Sequence, residues 1–243
     1  MASKCTITYF GHSCFYIETL DRIKILIDPP EPKFNYQPPP KNVDIVLVSH
    51  FHAGHSSIHT LQGEYALISA PGERDIGKVH IKGFETFHDT VKGKERGKNT
   101  VYFVKTLHFS FVHLGDIGHM LSNDIIRKIK ETNIVFIPIN EKNVIKHDHI
   151  NELVTKISPK IIFPMHYDSK EQVEQFLTHV PSYKITIADT NTLMKQKEFF
   201  SGEKRVIIFP PPYKKTNIKE TTVETLHRNV SEPNVKTLHR NVS

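Results

Sequence analysis

Short apolar runs rich in β-branched and aromatic residues recur along the whole chain, and such runs are typical of β-strands. Polar stretches between them indicate turns and loops. The predicted strands are residues 6–10, 14–18, 24–27, 43–48, 65–69, 100–104, 109–113, 134–137, 160–163, 183–187 and 205–209. The pattern therefore predicts a strand-rich protein.

Helix signals lie mainly in the second half of the chain. Ser122 and Asp148 each precede an amphipathic stretch with apolar residues at helical spacing. Ser169, followed three residues later by Gln172, forms a capping box ahead of a third such stretch. Each predicted helix is followed by a predicted strand, so we expect an α/β (α+β) fold.

The apolar pattern ends at three consecutive prolines, residues 210–212, and the residues after them offer little to pack. We therefore expect one domain over residues 1–212 and a C-terminal tail over residues 213–243. The tail contains the segment TLHRNVS twice, at 225–231 and 237–243. We interpret it as a disordered appendage, with a partner-binding arm as the alternative.

The composition, 38% hydrophobic and 24% charged, is that of an ordinary globular protein. No stretch approaches the roughly 18 apolar residues that a membrane-spanning helix requires, so no membrane partner is expected. The N-terminal residues lack the apolar core of a secretory signal, which predicts a cytoplasmic location. Two cysteines, Cys5 and Cys14, are too few for a disulfide framework or a thiolate zinc site.

Sixteen histidines, in a chain without tryptophan, are the most unusual feature of the composition. Three of them, His50, His52 and His55, follow the predicted strand 43–48. In an extended segment residues i and i+2 point the same way, so His50 and His52 can reach one point. His55 comes after a turn and can reach a neighbouring point. Because histidine is the commonest metal ligand, this strand end predicts a metal site.

Two later strands also end in residues that bind metals. One is followed by His113 and Asp116, and the other by His166. Ligands collect at the carboxyl ends of parallel strands because the loops converge there. Nitrogen and carboxylate donors without thiolates suit zinc, with manganese, iron and nickel as alternatives.

Six ordered sequence blocks lie between residues 7 and 209. They are YFGHSCF (9–15), IDP (27–29), FHD (87–89), RGKNT (96–100), HLGDIGH (113–119) and PMHY (164–167). Together with the histidines after strand 43–48, they resemble the metallo-β-lactamase superfamily, and most closely its ascorbate-6-phosphate lactonase-like branch of zinc-dependent hydrolases. The resemblance implies a four-layer αββα sandwich of two mixed sheets, with the site at one edge.

Carried over by position, the family signature implies a centre of one or two zinc ions. The implied ligands are His50, His52 and His113 for the first ion, His55 and His166 for the second, and Asp116 as a bridge. A water bound between the ions would lose a proton near neutral pH and attack a carbonyl or phosphorus centre. His88 is a candidate for an extra ligand or proton donor. His12 and His119 are candidates for orienting the ligands.

Part of the net charge of +6 lies in one loop that contains Lys92, Lys94, Arg96 and Lys98. Arg96 and Lys98 are candidate substrate-binding residues, because a basic loop can hold an anionic small molecule. A solvated basic surface is the alternative for these residues. The charge alone also allows nucleic acid as a partner.

Gly54 stands where the family signature has aspartate. Glycine cannot ligate the second metal or orient a water, and three consequences are open. The second site is weak or empty, His88 or Asp89 substitutes, or hydrolysis has been lost. If the second site lacks a ligand, Gly54→Asp should raise the metal bound per chain. A second departure is the stretch 139–142, where the branch has a glycine-rich turn.

The leading functional hypothesis is a metal-dependent hydrolase that uses metal-bound hydroxide on a small, anionic ester, lactone or phosphodiester. A nuclease is an alternative because the protein is basic, but no aromatic stacking platform is interleaved with the charges. A non-catalytic metal-binding protein is the other alternative, motivated by Gly54 and the repeated tail.

Overall fold

The computed structural model describes residues 4–140 and 144–210, and it contains two packed β-sheets. The six-stranded sheet consists of β1 (Cys5–Tyr9), β2 (Phe15–Glu18), β3 (Lys24–Ile27), β4 (Ile45–Leu47), β5 (Ala66–Ile68) and β13 (Thr192–Lys195). The eight-stranded sheet consists of β6 (Gly72–Ile76), β7 (Val79–Phe87), β8 (Lys98–Lys105), β9 (Ser110–His113), β10 (Ile134–Pro138), β11 (Ile161–Met165), β12 (Lys184–Ile187) and β14 (Arg205–Ile208). The predicted tail, 213–243, lies outside the described residues, as do positions 141 and 142 of the departing stretch.

Both sheets are mixed. The first has the order β13-β1-β2-β3-β4-β5, in which β3, β4 and β5 run parallel. The second has the order β12-β14-β11-β10-β9-β8-β7-β6, parallel from β12 to β9 and antiparallel beyond. The predicted α/β sandwich of two mixed sheets is confirmed, but in the described residues α-helices cover only the eight-stranded sheet, so the outer helical layer expected on the other sheet is not seen.

The main core lies between the sheets, because the apolar residues of each strand alternate toward the facing sheet. Phe15 of the first sheet packs on Phe136 of the second, with ring centroids 4.3 Å apart. Phe136 in turn stacks on Phe163 at 5.3 Å. Each of these side chains is fully buried, and burying one such side chain stabilises the fold by about 1.5–3 kcal/mol.

The three helices, α1 (Asn123–Ile129), α2 (His147–Ile157) and α3 (Lys170–Thr178), pack on the outer face of the eight-stranded sheet. The predicted caps of α1 and α3 are confirmed, because Ser122 and Ser169 accept backbone N–H bonds. α2 begins one residue before Asp148. Within the described ranges the outer face of the six-stranded sheet is covered by loops and short 3₁₀ helices, and no helix is long and apolar enough to cross a bilayer.

Three strands, β6, β7 and β13, escaped the sequence prediction. β7 is the longest strand of the described chain, but His80, Lys82 and Gly83 interrupt its apolar residues. Pairing with β8 over eight residue pairs makes it a strand nonetheless. It matters for function because β7 ends at Phe87, directly before His88.

Candidate metal centre

The candidate site lies at one edge of the sandwich, where strands from both sheets end. Its polar residues lie in the segments that follow β3, β4, β7, β9 and β11, and one more comes from the turn between β1 and β2. In chain order they are His12, Asp28, His50, His52, His55, His88, Asp116 and His166. The centre therefore draws together residues that are far apart in sequence.

One carboxylate oxygen, Asp116 Oδ2, lies close to the Nε2 atoms of four histidines. The distances are 3.0 Å to His166, 3.1 Å to His88, 3.2 Å to His55 and 3.8 Å to His50. Burial by itself raises the pKa of Asp116, but the surrounding imidazoles, His55 first, hold it well below its usual value. The carboxylate of Asp116 is therefore ionised, and its Oδ2 lies among the four imidazoles.

The ligand-type residues fall into two groups around Asp116, in each of which the ligand atoms lie within 4.8 Å of one another. The three-histidine group consists of His50, His52 and His88. The four-residue group consists of His12, His55, Asp116 and His166. Two adjacent groups that share a carboxylate are the arrangement of a two-ion centre.

The hydrogen bonds of His50 show that its Nε2 carries a lone pair. Ser49 Oγ donates its proton to Asp28 Oδ2 at 2.6 Å, so Ser49 Oγ accepts the hydrogen bond from His50 Nδ1 at 2.9 Å. His50 Nε2 is buried and has no hydrogen-bond partner among the described residues. Burial, followed by the charge of His55, lowers the pKa of His50 to about 3, so the ring is neutral. An unpaired imidazole lone pair in a buried cluster fits a metal ion.

Asp28 orients His55 in the same way. Its Oδ2 lies 2.9 Å from His55 Nδ1, and its Oδ1 accepts from the Ser49 backbone at 2.7 Å. Burial lowers the pKa of His55, but the carboxylates of Asp116 and Asp28 outweigh burial and raise it to about 10. Asp116 and Asp28 thus favour positive charge at His55. A carboxylate behind a ligating histidine is the usual support of a metal ligand.

Three residues of the centre have left-handed backbone that non-glycine residues seldom adopt. The φ angles are 54° at His12, 47° at Asp28 and 57° at His166. His166 N donates to His12 O at 2.7 Å, which joins two of these positions. Such conformations cost on the order of 1–3 kcal/mol each and persist where surrounding contacts enforce them. They hold the side chains in fixed directions.

His113 does not join His50 and His52, in contrast to the ligand set that the resemblance implied. Its Nδ1 accepts from Gly115 N at 3.2 Å, and its Nε2 donates to Ser13 O at 3.0 Å. The ring is fully buried and packs against Phe15 and Phe136 in the core between the sheets. Both nitrogens are thus used by backbone groups. His88 occupies the place in the three-histidine group.

The other predicted residues have different surroundings. His119 Nε2 accepts from Phe87 N at 3.1 Å and its Nδ1 donates to Met120 O, so it supports the end of β7 behind His88. His12 was predicted as an orienting residue, but it lies inside the four-residue group. Asp89 accepts four backbone N–H bonds from the loop that follows it, so it does not reach the centre.

Sequence reasoning gave no role to three supporting residues, Asp28, Ser49 and Asn99. Asn99 Oδ1 accepts from Asp116 N at 3.0 Å, and its amide donates to Leu114 O at 3.0 Å. It therefore clamps the turn that carries Asp116. Asp28 and Asn99 lie in the blocks IDP and RGKNT, so the family resemblance already pointed to these two positions.

A cavity of about 440 Å³ opens beside the three-histidine group. Its lining includes His50, Phe51, His52, Arg96 and Lys98. Phe51 is 70% exposed and offers an apolar surface at this opening. Lys98 Nζ lies 2.7 Å from Glu85 Oε2, which neutralises part of its charge.

We predict that His88→Gln and His113→Gln separate metal binding from stability. His88→Gln should weaken the binding of one zinc ion by about 10- to 100-fold or more, because substituting a residue that only orients a ligand already lowers metal affinity by that factor. His113→Gln should keep the metal content and lose about 1–3 kcal/mol of the free energy of unfolding. Elemental analysis after dialysis and urea denaturation measure the two effects. If the His113→Gln variant lost zinc and the His88→Gln variant kept it, the assignment of His88 as the ligand would be wrong.

Comparison with known proteins identifies relatives over most of the described chain. A sequence profile described as a β-lactamase superfamily domain matches residues 6–166. A UPF0173 metal-dependent hydrolase of Methanopyrus kandleri is 28% identical over 200 residues, which cover 70% of this chain and 86% of the relative.

Two solved structures of other proteins are similar to this chain in fold. A candidate Zn-dependent hydrolase of the metallo-β-lactamase superfamily from Thermotoga maritima is 31% identical, with a TM-score of 0.67 and coverage of 84% of this chain and 98% of the other. A candidate metal-dependent hydrolase from Parabacteroides distasonis shares the fold at 18% identity, with a TM-score of 0.61 over 86% of this chain and 94% of the other.

Proposed function

The chain belongs to the metallo-β-lactamase superfamily, and from that membership we propose that it is a hydrolase with a two-ion centre. The observation that carries the proposal is the position of Asp116 Oδ2, within 3.8 Å of four imidazole nitrogens. The donors are imidazoles and one carboxylate, which suit zinc and also accept manganese, iron or nickel. The relatives from Methanopyrus kandleri and Thermotoga maritima carry hydrolase names, which supports the proposal.

Divalent ions, when bound, polarise the bond under attack and make water a stronger acid. The protein's own part is to hold the imidazole and carboxylate ligands close together and to fix their directions. Ser49 and Asp28 fix the rings of His50 and His55, and Asn99 fixes the turn of Asp116. The buried side of the centre excludes bulk water, which strengthens every electrostatic interaction there.

The substrate approaches from the cavity beside His50 and His52, because His52 is exposed there. Arg96 is positioned on that cavity to contact a negative charge, while Lys98 is already paired with Glu85. A volume of about 440 Å³ is within the ordinary range for small ligands. We propose a small anionic ester, lactone or phosphodiester as the substrate class.

The direct test is hydrolysis by zinc- or manganese-loaded protein. The substrates are a phosphorylated lactone, the same lactone without phosphate, a nitrophenyl phosphodiester and a single-stranded RNA. We expect metal-dependent turnover of an anionic small molecule. Preferred cleavage of the RNA would replace this substrate class with nucleic acid. Absence of turnover in protein that holds both ions would favour a non-catalytic metal-binding role.

Arg96→Ala should raise the KM for the anionic substrate by about three- to tenfold and leave kcat nearly unchanged, because a charge-assisted contact is lost. The effect should shrink at high salt, since the guanidinium is exposed. Lys94→Ala is the matched control, an exposed cation of the same loop that does not line the cavity. Equal KM changes in both variants would indicate a general charge effect of the loop.

A further inference from the structure

The space beside Gly54 is already filled by another ligand-type residue. A Cβ atom added at Gly54 would lie 2.5 Å from both Cδ2 and Nε2 of His12. Side chains do not approach that closely, so position 54 has room for a side chain only if the imidazole moves. The absence of a side chain at Gly54 and the position of the His12 ring therefore depend on each other.

The His12 ring is held where it is by contacts on several sides. Its backbone carbonyl accepts from His166 N at 2.7 Å and from the Tyr9 hydroxyl at 3.0 Å. Its ring centroid lies 3.9 Å from that of His166 and 4.8 Å from that of His55. Phe34 packs near the ring, with centroids 5.5 Å apart. The ring is thus directed into the four-residue group by its backbone and its neighbours.

We propose that His12 is the ligand that replaces the missing aspartate, so that the second ion is bound by His12, His55, Asp116 and His166. This inference rests on the proposed function, which requires two ions. The alternatives from sequence are used elsewhere: His88 belongs to the three-histidine group, and both Asp89 oxygens accept backbone N–H bonds. Imidazole nitrogens and a carboxylate oxygen are donors that zinc accepts.

The exchange also alters the charge of the centre. The family signature places a carboxylate at position 54, and here a neutral imidazole takes over its role. Asp116 is consequently the one carboxylate in the two ligand groups of the described chain. The loaded centre carries one more positive charge than a centre with aspartate at position 54. This charge favours an anionic substrate, in agreement with Arg96 on the cavity.

The test measures zinc affinity and stoichiometry by equilibrium dialysis and elemental analysis of the full chain. His12→Asn is the variant of choice, because asparagine tolerates the left-handed backbone of residue 12 and its amide is shorter than imidazole. We expect wild type to bind about two zinc ions and His12→Asn to bind the second at least about tenfold more weakly. His59→Asn, at an exposed histidine, is the control.

The rescue is His12→Asn combined with Gly54→Asp, which should restore the second zinc, because the ring that blocked position 54 is gone. Gly54→Asp alone should leave the zinc content unchanged as the carboxylate displaces the imidazole, in contrast to the increase expected for an incomplete site. Two results would overturn the role of His12 and leave the two-ion centre intact. One is a folded His12→Asn variant that binds the second zinc as tightly as the wild type does. The other is a folded double variant in which the second zinc is not restored. Wild type that binds no zinc would overturn the proposed function itself.

Discussion

Asp116→Asn is expected to abolish metal-dependent hydrolysis and to weaken both zinc sites by at least about 100-fold. Substituting a residue that merely orients a ligand already lowers metal affinity by about 10- to 100-fold. Asp116 Oδ2 contacts histidines of both ligand groups, so its loss should have a larger effect. Asparagine has the same shape but lacks the charge that offsets two divalent ions. Its backbone N–H can still donate to Asn99 Oδ1, as that of Asp116 does at 3.0 Å, so the turn should persist. Zinc content and turnover of the purified variant measure the effect.

The matched control for this substitution is Asp189→Asn, which removes the same charge at an exposed position. It should keep the zinc content and turnover of the wild type. Far-ultraviolet circular dichroism of both variants establishes that they are folded. If Asp116→Asn retained two zinc ions at wild-type affinity, the carboxylate would not be the shared ligand, and the proposed centre would have to be redrawn.

Removal of metal is expected to lower the melting temperature by about 5–10 °C. An ion present at about 100 times its Kd stabilises the native state by about 2.7 kcal/mol, and each kcal/mol shifts the melting temperature of a domain this size by about 2–4 °C. The physical reason is that the ligands, from His12 to His166, are brought together only by folding. Differential scanning calorimetry before and after chelation measures the shift.

Added zinc should restore the higher melting temperature of the wild type. In the Asp116→Asn variant, chelator and zinc should have little effect on melting, since the sites themselves are weakened. Identical melting of wild type with and without metal would mean that the native state does not bind the ion preferentially. The stabilisation should also decline in acid, because histidine ligands must be deprotonated to bind a metal.

The fold could be predicted where the local pattern is strong. The apolar run at 134–137 appears as the buried strand Ile134–Pro138, and the Ser122 and Ser169 caps begin helices as predicted. The pattern failed where tertiary pairing decides the structure. β7 has polar residues and a glycine in its interior, and its pairing with β8 was not visible in its own sequence.

The sequence by itself identified the family and the candidates His50, His52, His55, Asp116 and His166, because spacing and strand ends are local properties. Only the tertiary structure distinguished His88 from His113, since the strand that ends before His88 was not predicted, whereas His113 stood at the end of a predicted strand. His113 packs into the core, where its nitrogens bond to Ser13 and Gly115, whereas His88 lies beside Asp116.

The relation between His12 and Gly54 was likewise decided by tertiary structure. In the sequence, Gly54 is a missing ligand and His12 belongs to a separate block. In the folded chain, the imidazole of His12 occupies the volume that a side chain at position 54 would need. Residue identities are local, but the volume around a residue is set by packing of distant segments. The sequence therefore determined which residue types were available, and the packing of the two sheets determined which of them meet.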